Sequence, residues 1–422
     1  MFSRIGAGNR ERICPVSQKS SESKDRTKER TKSMKIAVFG GSFNPPHLGH
    51  RSVVSMVSEH VHPDLFLIIP DNVPPHKELE EGSPDSATRL RMCIDNFDDL
   101  PGVQISDMEI LREGRSYTAD TVTALRKQYP ADTLMFVMGT DMLLSFEEWY
   151  HFEYLLKELE LVVLSRFDND DDEILKQAES LKEKYGAIIH FINVPPLPMS
   201  SSQIRGLLKQ RQGNDLLMDS VYSDIIRNRL YSAQMNLQWL EKKIVPLHKP
   251  KRLSHVFGVR EEASRLAKRW GVDSDSAEEA GLLHDITKKL DVDGQLLLID
   301  KYGIIISNSE RENPKLLHAI TGSEFARREF GVSQEIFDAI RWHTTGRPKM
   351  SMLEKVIYLA DCIEPNRSYP GVEVLRAASY DDIDKAMCMA LKMSIDVVRE
   401  RGDVLHPATL EAYEWYRRKD LN

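Results

Sequence analysis

Between Met34 and about Tyr231, short runs of consecutive apolar residues alternate with longer amphipathic stretches. The runs are Lys35-Ile36-Ala37-Val38-Phe39, Leu65-Phe66-Leu67-Ile68-Ile69, Leu134-Met135-Phe136-Val137-Met138, Leu161-Val162-Val163-Leu164 and Ala187-Ile188-Ile189-His190-Phe191. Each is short for a helix and lacks a polar alternation, which predicts strands covered on both faces. The stretches between them, the first beginning near Leu48, predict helices. A doubly wound, parallel-sheet α/β domain over residues 34–231 follows.

Beyond residue 231 the apolar runs stop. Val256, Val259, Ala263, Leu266 and Ala267 fall at helical spacing, and similar patterns recur around residues 280–283, 319–326, 336–340, 353–359 and 386–397. This predicts an all-helical second domain over residues 235–422, joined through a short segment holding Pro246 and Pro250. Residues 1–33 differ from both. They are rich in Ser, Lys, Arg and Glu and carry no apolar signal core, so they read as a disordered tail or as sequence upstream of a natural start at Met34.

A length of 422 residues supports two cores rather than one. A net charge of −8 argues against a general nucleic-acid binder, although local positive ends can still hold anions. Four cysteines without CxxC spacing exclude a disulfide scaffold and fit a reducing cytoplasm. No apolar run reaches membrane-spanning length, so no membrane partner is expected.

Candidate chemistry falls in two places. Phe39-Gly40-Gly41-Ser42-Phe43-Asn44-Pro45-Pro46-His47-Leu48-Gly49-His50 reads as a strand, a glycine turn and a helix start. Gly40 and Gly41 let backbone approach an anion, the helix start offers free N–H groups, and His47 and His50 share one side of the first turn. Met199-Ser200-Ser201-Ser202-Gln203-Ile204-Arg205 is a second helix start of this kind, with Arg205 one turn in. No nucleophile–base pair stands out. The fitting chemistry is direct nucleotidyl transfer, in which an acceptor phosphate attacks the α-phosphorus of a triphosphate with Mg²⁺ helping.

The second place is a scatter of four imidazoles and two carboxylates, His255, His284, Asp285, His318, His343 and Asp361, each beside apolar helix sequence. Burying so many titratable groups unpaired would be costly, and divalent metals remove that cost. Adjacent His284 and Asp285, taken as lying on one helix, cannot share a face, so they are expected to serve neighbouring metals or to bridge two. A two-metal phosphohydrolase site is predicted, with water activated for attack on phosphorus. Lys288 and Arg347 are candidate phosphate contacts.

Residues 34–231 resemble the nicotinate mononucleotide adenylyltransferases of the HxGH nucleotidyltransferase superfamily. Besides the two phosphate motifs, the resemblance rests on Pro74-Pro75-His76-Lys77, Ser116-Tyr117-Thr118-Ala119-Asp120-Thr121 and Gly139-Thr140-Asp141-Met142-Leu143 with Phe146 and Trp149. It implies that His47, His50, Ser201, Ser202 and Arg205 hold the ATP phosphates, with Ser42 nearby. It places Asp141 near ribose with Gly139 allowing close approach, Tyr117 and Thr118 at the nicotinate carboxylate, and Trp149 on the pyridine ring. Lys77 and Arg166 become phosphate contacts. The sequence departs from the pattern at Ser42, Asn44 and Pro46, where the family often has Thr, Asp and Ile.

Residues 235–418 resemble the HD-domain phosphohydrolases, and within them the YqeK-like symmetrical bis(5′-nucleosyl)-tetraphosphatases. The narrower match rests on Ala280-Gly281-Leu282-Leu283-His284-Asp285, on His343-Thr344-Thr345-Gly346-Arg347, on residues 353–365, and on His406-Pro407-Ala408-Thr409-Leu410. It implies two divalent metals, iron first and manganese second, with Asp285 bridging, and cleavage of diadenosine tetraphosphate to two ADP. The expected ligands are therefore ATP, nicotinate mononucleotide and diadenosine tetraphosphate. Other HxGH transfers in front, and other nucleotides or a sensing role behind, are the alternatives. Oligomeric state, and acid against amide preference, stay open.

Overall fold

The computed structural model describes residues 33–74, 78–112, 114–165, 171–193 and 200–420. Nearly all of the expected tail therefore lies outside the described residues. The described residues fall into two compact units, the first reaching Ile225 and including Leu230–Ala233, the second made of Ile226–Arg229 and the described residues from Gln234 onward.

The first unit is built on one parallel sheet of six strands, β1 (Lys35–Gly41), β2 (Leu65–Pro70), β3 (Val103–Ile105), β4 (Thr133–Gly139), β5 (Leu159–Ser165) and β6 (Ile188–Asn193), in the order β3-β2-β1-β4-β5-β6. Five answer to the apolar runs. The sixth, β3, was not expected. It is three residues long, lies at the sheet edge and is not fully buried, so no apolar run marks it. Both sheet faces carry apolar clusters, one around Ile36, Val38 and Phe136 and the other around Ala37, Phe66 and Val137. This double burial explains the uninterrupted apolar runs.

Strand order reverses between β1 and β4. Their pairing runs from Lys35 with Thr133 to Val38 with Phe136 and then ends. Beyond it, Phe39, Gly40 and Gly41 pair only with β2, while residues 137–139 pair only with β5. The sheet thus parts at the carboxyl ends of β1 and β4, the place where open α/β sheets bind ligands.

The second unit is helical. Its frame includes helices Pro250–Trp270, Ser274–Leu283, Leu317–Phe330, Gln334–Trp342 and Met352–Ile363. No described helix is long and apolar enough to cross a membrane.

Candidate functional sites

In the first unit, His47 is the N-cap of helix Leu48–Val61 and His50 lies one turn in. Their ring centroids are 3.7 Å apart. The His47 backbone N–H donates to His50 Nδ1 at 3.2 Å, which puts the proton of a neutral His50 on Nε2. His47 Nδ1 is buried without a hydrogen-bond partner. Burial lowers His47 to about 4. Burial, and next the His47 ring, hold His50 well below its ordinary value. At neutral pH the pair is uncharged and offers donors that a phosphate would strengthen.

Helix Ser201–Leu208 begins against the segment just before His47. Ser201 Oγ donates to the Pro45 carbonyl at 2.9 Å, and Arg205 Nη1 donates to the Asn44 carbonyl at 2.6 Å. Ser202 and Arg205 also bond Glu80. The two helix starts, far apart in sequence, therefore converge on one segment. Ser42 is committed differently: its hydroxyl donates to Asp71 at 2.8 Å, and its carbonyl accepts from the buried Arg89.

A cavity of about 150 Å³ opens beside the β1–β4 parting. Gly40, Gly41, Tyr117, Thr118 and Trp149 line it, with Asp71 and Glu109. Tyr117 is the N-cap of helix Thr118–Gln128, so the free N–H groups of that helix start there. Trp149 is half-buried and stacks on Phe146 at 5.0 Å, which fixes its ring while one side borders the cavity. Asp141 lies in the first turn of helix Thr140–Leu144, whose cap is Gly139. Its Oδ1 is 2.6 Å from where a Cβ on Gly139 would stand, so only glycine admits it. Burial pushes Glu109 up to about 7, with a Thr121 hydroxyl bond opposing the shift. Sequence reasoning missed Glu109, Asp71 and Arg89. Lys77 and Arg166 lie outside the described residues.

In the second unit all six expected metal residues converge. Asp285 Oδ1 lies 3.2 Å from His318 Nε2 and 3.6 Å from His343 Nε2. Its other oxygen, Oδ2, lies 3.3 Å from His284 Nε2 and 3.9 Å from His255 Nε2. Asp361 Oδ1 joins the second group, 3.1 Å from His255 Nε2. One carboxylate thus faces two clusters of nitrogen ligands, one per oxygen.

The outer nitrogens explain the orientation. His284, His318 and His343 each set Nδ1 2.7 Å from a backbone carbonyl, those of Gly281, Lys315 and Ile340. His255 Nδ1 lies 3.1 Å from Glu364 Oε1. Every Nδ1 must then carry a proton, and every Nε2 turns inward. His255 Nε2 faces His284 Nε2 at 3.3 Å, and His318 Nε2 faces His343 Nε2 at 3.3 Å. Neutral imidazoles so arranged present lone pair to lone pair, a repulsion that a cation between them removes. The residues therefore fit divalent metals, and these same atoms form the possible metal groups. Burial lowers His318 to about 4, which keeps it neutral for ligation.

One expectation about this pair needs correction. The α-helix ends at Leu283, with His284 as its C-cap, and Asp285 lies in the turns beyond. Bonds of the i+3 type, Ile286 N–H to Leu283 and Lys288 N–H to Asp285, replace the helical ones. The pair nonetheless serves one centre: His284 Nε2 lies 3.3 Å from Asp285 Oδ2, while Asp285 Oδ1 reaches the His318–His343 pair.

Lys288 Nζ is 3.1 Å from Asp285 Oδ1. Arg347 is committed to Glu354 and Asp338, and no described hydrogen bond or ion pair ties it to the six metal residues. Sequence reasoning missed Glu364, Arg252 and Arg367. For two of them the signal was spacing: Glu364 stands one turn after Asp361, and Arg252 one turn before His255.

Comparison with known proteins finds a family for each half. Residues 38–207 match the cytidylyltransferase-like family and residues 252–366 the HD domain. The chain thus joins a nucleotidyltransferase-type domain to an HD-type domain. It is 36% identical over 198 residues, 47% of its length and 98% of the relative's, to a protein named "Probable nicotinate-nucleotide adenylyltransferase" of Carboxydothermus hydrogenoformans. It is 39% identical over 165 residues, 39% of its length and 88% of the relative's, to the symmetrical bis(5′-nucleosyl)-tetraphosphatase of Bacillus subtilis. A solved HD superfamily hydrolase from Clostridium acetobutylicum is 36% identical, covers 43% of the chain and 97% of its own, and has a TM-score of 0.42. The chain belongs to the nicotinate-nucleotide adenylyltransferases through its first half and to the symmetrical bis(5′-nucleosyl)-tetraphosphatases through its second.

Proposed function

We propose that the protein is a bifunctional enzyme. Its first unit transfers AMP from ATP to nicotinate mononucleotide, giving deamido-NAD and pyrophosphate. Its second hydrolyses diadenosine tetraphosphate to two ADP. The observation that carries the second assignment is Asp285, whose two oxygens face separate histidine groups.

In the first reaction, His47 and His50 donate to ATP phosphate oxygens, and Ser201, Ser202 and Arg205 hold the same chain from the opposite helix start. Asp141 takes a ribose hydroxyl. Trp149 stacks on the pyridine ring while the N–H groups at Tyr117 and Thr118 take its carboxylate. Alignment and charge neutralisation, with Mg²⁺, account for the chemistry. Lys77 and Arg166 remain proposed phosphate contacts.

In the second, His255, His284, Asp285 and Asp361 would hold one cation, and His318, His343 and Asp285 the other. Two divalent cations there, iron or manganese, would acidify a water and neutralise phosphate oxygens. Glu364 and the three backbone carbonyls fix the imidazoles, and Lys288 meets the substrate. The free Cys93 and Cys362 thiols suit a cytoplasmic location.

The test is two assays on one preparation. ATP with nicotinate mononucleotide and Mg²⁺ should yield deamido-NAD, and diadenosine tetraphosphate with Fe²⁺ or Mn²⁺ should yield ADP alone. No turnover of the mononucleotide rejects the first half. AMP with ATP in place of ADP rejects symmetrical cleavage.

A further inference from the structure

We infer that Arg252 and Arg367, together with Lys288, form a polyphosphate grip on the solvent side of the metal cage. The inference rests on the hydrolase reading and names the part of that site which selects a phosphate chain.

Each cation stands over a cage carboxylate. Arg252 Nε donates to Asp285 Oδ2 at 2.8 Å, and its Nη2 reaches the same oxygen. Arg367 Nη2 donates to Asp361 Oδ1 at 2.5 Å, and its Nε to the Asp361 carbonyl at 2.8 Å. Lys288 completes the set at Asp285 Oδ1. The acids lie deeper than the bases. The Asp285 side chain is 0% exposed, whereas Arg252 and Lys288 are 29% and 38% exposed. Asp361 is 16% exposed and Arg367 34%. An anion arriving from solvent meets the three cations first.

The oxygens these arginines bond are the ones turned toward the imidazole Nε2 atoms. A divalent cation held by Asp285 and Asp361 would compete for these oxygens and repel the guanidinium groups. Metal loading would thus loosen both arginines at the cage mouth, where phosphate oxygens are their natural acceptors, matched by the planar fork of the guanidinium. Charge points to a chain rather than a single phosphate. The carboxylates of Asp285, Asp361 and Glu364 are balanced by Arg252, Arg367 and Lys288. Two divalent cations then leave about four positive charges, which a run of four singly charged phosphates neutralises and a monoester, at about −2, does not.

The test uses the full chain loaded with Mn²⁺, with deamido-NAD saturating the front site, and the variants Arg252→Gln, Arg367→Gln and Arg252→Lys. Metal per chain is measured with the affinity for a methylene-bridged, non-hydrolysable diadenosine tetraphosphate and for AMP. Both Gln variants should keep their metal, bind the tetraphosphate analogue at least about tenfold more weakly and bind AMP within about threefold of wild type, with Arg252→Lys between. Unchanged analogue affinity overturns the inference. So does loss of metal, which would make the arginines supports of their carboxylates, and so does an equal loss for AMP, which would mean general anion attraction. A wild-type protein that binds no tetraphosphate sinks the hydrolase reading instead.

Discussion

Glu364 Oε1 accepts from Nδ1 of His255 at 3.1 Å, and the carboxylate is buried to 1% exposure. The Asn366 backbone N–H holds its other oxygen at 2.7 Å. Glu364 thus sets the tautomer and angle of one metal imidazole without facing the metal position. Outer partners of this kind contribute about 10–100-fold to metal affinity. Glu364→Ala should lower affinity by that amount, while Glu364→Gln keeps an acceptor and loses less. Metal analysis after dialysis against graded chelator distinguishes the two, and equal retention in all three proteins would contradict the role.

Gly258 should matter for the same reason. A Cβ there would lie 2.5 Å from Glu364 Oε2. Gly258→Ala improves helix propensity by about 1 kcal/mol, so the helix should not suffer, but Glu364 must turn away. The expected result is a protein at least as resistant to heat that holds metal as poorly as Glu364→Ala. Wild-type metal affinity in this variant would mean that Glu364 turns without consequence.

Much of this was legible in the sequence, and the gaps have physical causes. The five long strands announce themselves because both sheet faces are buried; β3 does not, being three residues at an edge. The six metal residues could be named because polar groups set in apolar helix sequence need a common partner. The sequence left His284 and Asp285 as serving neighbouring metals or bridging two, because the choice depends on where each Asp285 oxygen points. Arg89 likewise looked like one more helix arginine, yet it is 0% exposed and ties Ser42 to Asp71 and Asn72. A side chain that gathers loop carbonyls from three directions carries no periodic signature.

Asp285→Ala should separate the two activities. Removing the shared carboxylate leaves the His318–His343 cluster without an anionic member and the His255–His284 cluster with Asp361 alone. Metal content should fall at both positions, and tetraphosphate hydrolysis should drop beyond the about 10–100-fold expected of an outer partner. Adenylyl transfer depends on residues of the first unit and should keep its wild-type rate. Residual hydrolysis with one tightly held metal would show that one cluster suffices and that Asp285 does not bridge.

Gly139→Ala probes the first site in the same way. The added Cβ would lie 2.6 Å from Asp141 Oδ1, and the exposed carboxylate must rotate. The strand should survive, since the clash involves the end of one flexible side chain. The KM for ATP should rise by about tenfold, comparable with the loss of one hydrogen bond to a charged group. Nicotinate mononucleotide binding and tetraphosphate hydrolysis should stay as they were. A KM unaffected by the substitution would remove Asp141 from the ribose contact.

His47 makes the first unit acid-sensitive, and the direction follows from its burial. Its folded value of about 4 lies below the ordinary 6.5, so unfolding takes up a proton between those limits. Stability is full above pH 6.5 and is lost as pH falls toward 4. At pH 5 the loss from this one group amounts to about 2 kcal/mol. Hydrogen exchange of β1 and β4 amides reports on this unit alone. Their opening free energy should fall from pH 7 to pH 5 by about 2 kcal/mol more in wild type than in His47→Gln. Saturating ATP should blunt the loss, because triphosphate charge favours the protonated imidazole and raises its folded value. If the acid loss is the same in both proteins, or unaffected by ATP, His47 is neither desolvated as its burial implies nor placed at the phosphates.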